Sequence, residues 1–353
     1  MKAIKAGGYL FDPDLVTEWI ADAVHHNLLW YPTSGQWFEW RDGRWVPIAE
    51  SQAPSALWRA LLKPAAVEAF GATPERQALY DALKARCHKW DWLVAVARAL
   101  KHASRFRTPH QYMDMRTDQL NCPNGVVDLR FLTDGVYLHS PQFYHSHMTS
   151  APFLPNIDTS ELERWMCTVF SKPDADLLQR FLGTALGEPR LAPAVLAVQY
   201  GSCDALVSRL NGLLWTTVGT YMSVVHAERW DRLNLENVAR VMRGTRLTAV
   251  WYNNRAGLTL TEVKRLSEPW IRVDVANTAI FQRRTCKYII FGPAFTADNR
   301  EVRSINVQSD CPIPACADDS MLPARMLKWM IEGLRKHRNE PEILEGTHGV
   351  SAD

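Results

Sequence analysis

The stretch VLAVQYGSCDALVSRLNGLL, Val195 to Leu214, decides how this chain is read. A short apolar run ends in Tyr200-Gly201 and an amphipathic run begins by Ala205, which predicts a buried strand, a turn and a helix. That order is the setting of a phosphate-binding loop, G-x-x-x-x-G-K-[ST]. Here the eight residues are GSCDALVS. Gly201 and Ser208 fit, but Leu206 and Val207 stand where the second glycine and the lysine belong. Val207 offers neither charge nor hydrogen bond, and Leu206 narrows the backbone freedom that glycine would give. Asp204 adds negative charge where phosphates would lie, which opposes them. No Gly-Lys pair occurs anywhere in the chain.

Downstream, the texture is alternating α/β. Helix near Leu233 to Met242, strand Arg246 to Tyr252, helix Leu260 to Leu266, and strands Trp270 to Val275, Lys287 to Phe291 and Arg303 to Val307 are expected. Alternation of this kind predicts a sheet with helices on its faces. Upstream, Asp12-Pro13 starts a helix with Leu15, Trp19 and Ala23 on one face. LLWYPTSGQWFEWRDGRWVPI, Leu28 to Ile48, reads as aromatic strands broken at Ser34-Gly35 and Asp42-Gly43. Trp37, Trp40 and Trp45 read as the hairpin's own core, with base stacking as the alternative. Thr73-Pro74-Glu75 opens a helical region running to about Lys101 with a break near Trp90-Asp91. Strands return in LNCPNGVVDLRFLTDGVYLHS, Leu120 to Ser140, with turns at Asn124-Gly125 and Asp134-Gly135. Asp158 caps a helix containing Trp165, and another runs from Lys172-Pro173-Asp174 to Gly187.

At 353 residues the chain has room for two or three domains, and 47% apolar with 22% charged residues is ordinary for a globular protein. Its longest apolar runs, such as Ala192 to Tyr200, are too short to cross a bilayer, and MKAIKAGGYLFDPD lacks a secretory signal. Seven cysteines without regular spacing predict reduced thiols and a cytoplasmic protein. Cys311 and Cys316 have no second pair, and His25-His26, His139, His145 and His147 do not complete a ligand set, so no metal is expected. With net charge +2 the whole chain is no polyanion binder, but basic residues cluster. Lys101, His102, Arg105 and Arg107 form one group, Arg283, Arg284 and Lys287 another, and Arg335, Lys336 and Arg338 a third. Each is a candidate phosphate-contacting patch or a solvated face.

An ordered series of segments carries a family resemblance: GQWFEWRDGRW, NGVVDLR, LLQRFLGTALG, MRGTRLTAVWYNN, LTLTEVKRLSE, KYIIFGPAFTADNREVRSINV and MLKWMIEGLRKHR. The series, roughly Leu28 to Arg338, resembles phage, plasmid and poxvirus-type primase–helicases with a superfamily 3 helicase core. The resemblance implies an α/β fold in which a mostly helical N-terminal domain with an aromatic β-hairpin occupies 1–188. An AAA+-like core would follow over 189–310, then a C-terminal helical tail over 311–353. It places GSCDALVS where the family keeps its phosphate loop, and the other motifs then read as departures. Strand Arg246 to Tyr252 should end in magnesium-holding acids but runs into Trp251, Tyr252, Asn253 and Asn254. Strand Lys287 to Phe291 should end in a polar sensor but meets Gly292-Pro293. Of the paired arginines that reach a neighbouring subunit, only Arg303 remains.

The expected protein is therefore not an enzyme and takes no cofactor: a helicase-like, replication-associated protein of a phage or plasmid. It would bind DNA, single-stranded or at a replication fork, or position an active helicase, primase or other replisome protein, with homo-oligomers possible and no membrane contact. Lys264, Arg283, Arg284 and Arg105 are its candidate DNA contacts. The alternatives are a divergent ATPase with other catalytic residues and a pure protein-interaction module. Asp204→Gly, Leu206→Gly and Val207→Lys together are expected to restore nucleotide binding without hydrolysis.

Overall fold

A computed structural model describes residues 13–32, 35–63, 73–103, 106, 113–132, 135–189, 191, 193–201, 203–226, 244–251, 270–275, 278–283, 286–292, 302–308 and 319–340. The chain packs as two compact units, one of residues 1–115 with 139–146, the other of 116–138 with 147–353. The limits at 188 and 310 come from the resemblance and divide blocks of sequence; packing divides the chain elsewhere.

The first unit opens with α1 (Pro13–Val24), Pro13 taking the first helical position as its fixed φ favours. Strands β1 (Leu28–Tyr31), β2 (Gln36–Arg41) and β3 (Arg44–Ile48) form an antiparallel sheet in that order. Asp42 and Gly43 make the two-residue turn between β2 and β3, both with positive φ (49° and 76°), as the right-handed twist of a hairpin demands. Helices α2 (Ala53–Leu61), α3 (Pro74–Arg86) and α4 (Trp90–Leu100) follow. Because side chains alternate across a strand, the sheet is apolar on both faces. Trp37 joins Ile20, Leu57, Val96 and Phe106 on one side, while Phe38 and Trp45 join Leu29, Tyr31 and Met113 on the other. Residues 139–146 belong to this unit because they tie the second face: Trp45 donates its backbone N–H to His145 O at 2.8 Å and its indole N–H to Pro141 O at 2.9 Å. Trp37 and Trp45 are each 1% exposed, so these two are core and have no face left for a base.

The second unit starts with a hairpin, β4 (Gln119–Cys122) and β5 (Gly125–Asp128), followed by α5 (Ser160–Val169) and α6 (Lys172–Gly187). Asp158 accepts from Ser160 N at 3.0 Å, and Ser171 Oγ caps α6 by accepting from Asp174 N at 3.3 Å. Then come β6 (Val195–Gln199), α7 (Asp204–Val218), β7 (Met222–His226), β8 (Leu247–Trp251), β9 (Trp270–Val275), β10 (Thr278–Arg283), β11 (Lys287–Gly292), β12 (Val302–Asn306) and α8 (Leu322–Asn339). Five strands form one sheet in the order β12-β6-β11-β8-β7, and each neighbouring pair is parallel. This is a mixed α/β protein built on a parallel sheet. β9 and β10 form a separate antiparallel hairpin. The helices expected near Leu233 to Met242 and Leu260 to Leu266 lie outside the described residues.

The last helix belongs to the core of the second unit. Met326, Leu327, Met330 and Leu334 of α8 share one apolar cluster with Leu178, Phe181, Leu182 and Leu186 of α6. The two helices touch backbone to backbone through two glycines. A Cβ on Gly183 would lie 2.2 Å from Leu334 N, and one on Gly333 would lie 2.1 Å from Gln179 O. No described helix is long and apolar enough to cross a membrane.

Candidate functional site

In an α/β sheet, ligands gather at the carboxyl ends of the parallel strands. β6 ends at Gln199 and α7 begins at Asp204, so four residues, Tyr200 to Cys203, connect them. The last five residues of GSCDALVS, Asp204 to Ser208, are thus already helical. A phosphate loop wraps its anion in irregular backbone before the helix starts; here the helix takes up that length. Val207 N–H donates to Cys203 O at 3.1 Å, an intrahelical bond. The earlier donors of α7 are those a helix leaves unpaired, and an anion would meet them. Asp204 is exposed in that first turn, where its carboxylate favours the helix dipole and competes with any incoming phosphate.

The side chains confirm how much the register matters. Leu206 (4% exposed) and Val207 (1%) sit in the core, around a small apolar gap lined also by Trp165, Met166, Val169, Phe170, Leu210 and Val307. Gly201 and Ser208 are exposed, and a Cβ on Gly201 would meet nothing within 4 Å. A lysine at 207 would therefore start from the apolar interior. Two of the three positions in the variant Asp204→Gly, Leu206→Gly and Val207→Lys are thus buried ones.

The rest of that sheet edge mixes apolar and aromatic residues with uncharged polar ones and a histidine. By register, Ile305, Val198, Phe291, Trp251 and His226 form one row, and Asn306, Gln199 and Gly292 the row beyond it. Trp251 lies against Phe291 with ring centroids 5.1 Å apart. Half-burial, with the nearby Asp204 charge second, holds the Tyr200 phenol above its ordinary pKa of 10. Tyr252, Asn253, Asn254 and Pro293 lie outside the described residues. Arg303 is the second residue of edge strand β12, half-buried and opposite Leu196.

Two buried cations lie at the opposite edge; sequence reasoning gave Arg246 no role and placed Lys287 in a basic cluster that was either a phosphate-contacting patch or a solvated face, both of which its full burial corrects. Arg246, 4% exposed just before β8, donates to four backbone carbonyls: Leu186, Gln119, and, at 3.2 Å each, Thr117 and Arg116. Its guanidinium also lies 4.6 Å from the Tyr221 ring centre. It thereby closes the C-terminus of α6 and fastens the start of β4 to the sheet. Lys287, 0% exposed at the start of β11, donates to Pro193 O at 2.9 Å and lies 4.9 Å from the Phe181 ring centre. Both read as architecture. The only advance signal was a cation placed directly before an apolar strand.

Of the candidate DNA contacts, Arg105, Lys264 and Arg284 lie outside the described residues. Arg283 ends β10, opposite Trp270 in the β9–β10 register. The third basic cluster is spent on packing within its unit. Arg335 donates to Leu132 O at 2.8 Å, Lys336 to Gln179 Oε1 at 2.6 Å, and Arg338 to Glu188 Oε1 at 2.9 Å. Lys101 of the first cluster pairs with Glu50 and lies 4.4 Å from the Trp30 ring centre. Among the described residues no group of three His, Cys, Asp or Glu could hold a metal. Burial pushes the Cys87 and Cys122 thiols up to about 12, which leaves them poor nucleophiles.

Comparison with known proteins fits this layout. Residues 17–171 match the family described as D5 N terminal like, a span that takes in β1 to β5 and α5. No curated protein sequence matches the chain. Among solved structures, the fold is similar to the apo NrS-1 C-terminal region (305–718), with TM-score 0.53 and 10% identity over 95% of this chain and 76% of that one. An A form of the same apo region gives 0.52 at 10% identity, over 92% and 72%. At that identity the likeness establishes the fold.

Proposed function

We propose that this chain is a replication-associated, primase–helicase-like protein of a phage or plasmid that binds DNA without hydrolysing nucleotide. The observation that carries the reading is the four-residue connection between β6 and α7, with Asp204 in the first helical turn and Val207 in the core. A strand, turn and helix stand at the carboxyl edge of a parallel sheet, the setting an AAA+-like core uses for its phosphate loop, and the buried Val207 with the exposed Asp204 supports the reading that this one holds no phosphate. Charge stabilisation supplies most of the rate in phosphoryl transfer, so its loss leaves the fold with binding and positioning work.

DNA contact is assigned to the β9–β10 hairpin. In the ladder Trp270 pairs with Arg283, Arg272 with Phe281 and Asp274 with Ala279, so cations and aromatic residues stand directly opposite one another at the end of the hairpin that holds Trp270 and Arg283. Basic residues paired with aromatic ones along a ladder suit single-stranded DNA, with cations on phosphates and rings on bases. Lys264 and Arg284 flank the hairpin in sequence. The test is fluorescence anisotropy with a labelled oligothymidylate across a salt series. Binding should be sequence-tolerant and weaken steeply with salt, and Lys264→Ala with Arg283→Ala and Arg284→Ala should flatten the slope by about 2, at ~0.7 per lost contact. Unchanged binding in the triple variant would remove the hairpin from the interface.

A further inference from the structure

The first unit carries an unusual arrangement of charge beside its hairpin. Glu39, in β2, is 4% exposed, yet its carboxylate lies under two exposed arginines. Arg59 of α2 grips it in two places, Nε to Oε1 at 3.0 Å and Nη2 to Oε2 at 2.7 Å. Arg41, two residues along the same strand, donates to the same Oε2. Their side chains remain 43% and 47% exposed, for Arg41 and Arg59 respectively. Lys63 stands close by, with Nζ 2.8 Å from Asn27 Oδ1, near enough that all three charges act on it. Arg44 is directly opposite Arg41 in the β2–β3 ladder. Like charges placed directly across a ladder destabilise it, so this sheet end accepts a penalty that packing alone does not require.

One buried carboxylate thus holds two guanidiniums side by side and leaves the site with a surplus of positive charge. Glu39 is the natural partner of one arginine; shared between two, it orients both without neutralising both. Burial raises the Glu39 pKa and the two arginines more than offset it, so the net shift of the carboxyl is downward. Each guanidinium has five N–H donors in a fixed fork, and the ones not turned to Glu39 are available on the exposed side. A fixed pair of forks matches the oxygens of a phosphate.

We propose that Arg41 and Arg59, oriented by Glu39, form a phosphate-contacting site of the first unit that holds the backbone of a nucleic acid. The inference rests on the DNA-binding reading only for the source of the phosphate; the site itself stands on the charge geometry. Glu39 acts through the arginines and is a positioning residue.

The test uses the full chain, with thermal melts to establish that each variant is folded. Arg41→Gln with Arg59→Gln should weaken oligothymidylate binding at least tenfold at low salt and lower the salt slope by about 1.4, twice the ~0.7 per single-strand contact. Glu39→Gln separates orientation from charge. It raises the net charge by one, so attraction alone would tighten binding, whereas loss of orientation weakens it severalfold. Tighter binding by Glu39→Gln, or an unchanged slope in the double variant, overturns the site. If the wild-type chain binds no DNA, stabilisation by inorganic tripolyphosphate is compared instead. A stabilisation lost in the double variant keeps the phosphate site and removes DNA as its source; none in either protein overturns the site. Competition by polyglutamate as strong as by oligothymidylate would assign the surface to an acidic protein and overturn the phosphate assignment.

Discussion

The two edges of the five-stranded sheet treat charge in opposite ways. At the amino edge, Arg246 and Lys287 are buried and bonded to backbone carbonyls, tying α6, β4 and the segment before β6 to the strands. At the carboxyl edge, where such folds do chemistry, stand Trp251, Phe291 and Gly292, with an aspartate at the helix start. A buried cation surrounded by neutral acceptors stabilises a fold; a cation free to meet an anion at a strand's end performs work. This sheet has the first kind among its described residues, and position 207, where a phosphate loop would carry its lysine, holds a buried valine. The difference teaches that the architecture of a parallel sheet can be fastened at one edge by groups that take no part in what the other edge does.

That contrast can be broken most forcefully at Arg246. Arg246→Leu leaves four carbonyls without their donor, at least two of them in the interior, and should destabilise the second unit by about 3 kcal/mol or more. Gly201→Ala, at the exposed turn of the other edge, should shift the melt hardly at all because a Cβ there meets nothing. Equal melting temperatures for the two variants would refute the division of labour between the edges.

Val207→Lys comes next. Placing an ammonium where a 1% exposed valine stands should lower stability by about 2–3 kcal/mol, less whatever the flexible stem recovers by reaching solvent. Millimolar ATP should not restore the loss. Nucleotide-dependent recovery of the melting temperature would mean that position 207 faces a phosphate site after all.

Much of the fold was legible because local rules and packing agreed. Asp42-Gly43 and Pro13 are each specified by backbone preference within a few residues. The strand and helix around Gly201 were legible for the same reason, to within one residue of the helix start at Asp204. The interior placement of Val207 was not, since a motif aligned by counting residues carries no information about where the helix begins. β7, Met222–His226, was missed because a five-residue strand gains its stability from pairing with β8, which no local signal announces. The basic run Arg335 to Arg338 was visible but not its meaning, because Glu188 is 150 residues from Arg338. The Glu39 cluster was hidden likewise: Arg59 reaches back twenty residues from another element.

The smallest effect concerns Tyr200, beside the altered turn. Its raised pKa means that the folded chain keeps the phenol neutral where the unfolded chain ionises. The associated stability is fully present below pH 10 and is lost as pH rises through the folded value. Phenolate absorbance should show that Asp204→Asn brings this titration down only slightly, since burial is the larger cause. A large drop would make Asp204 the dominant influence on the turn.

The central claim, that the carboxyl edge no longer handles nucleotide, is tested most directly by ATP turnover of the purified chain with saturating single-stranded DNA. The account predicts a rate no higher than that of Val207→Ala, with or without DNA. Turnover that DNA stimulates and that Asp204→Ala or Ser208→Ala abolishes would contradict it.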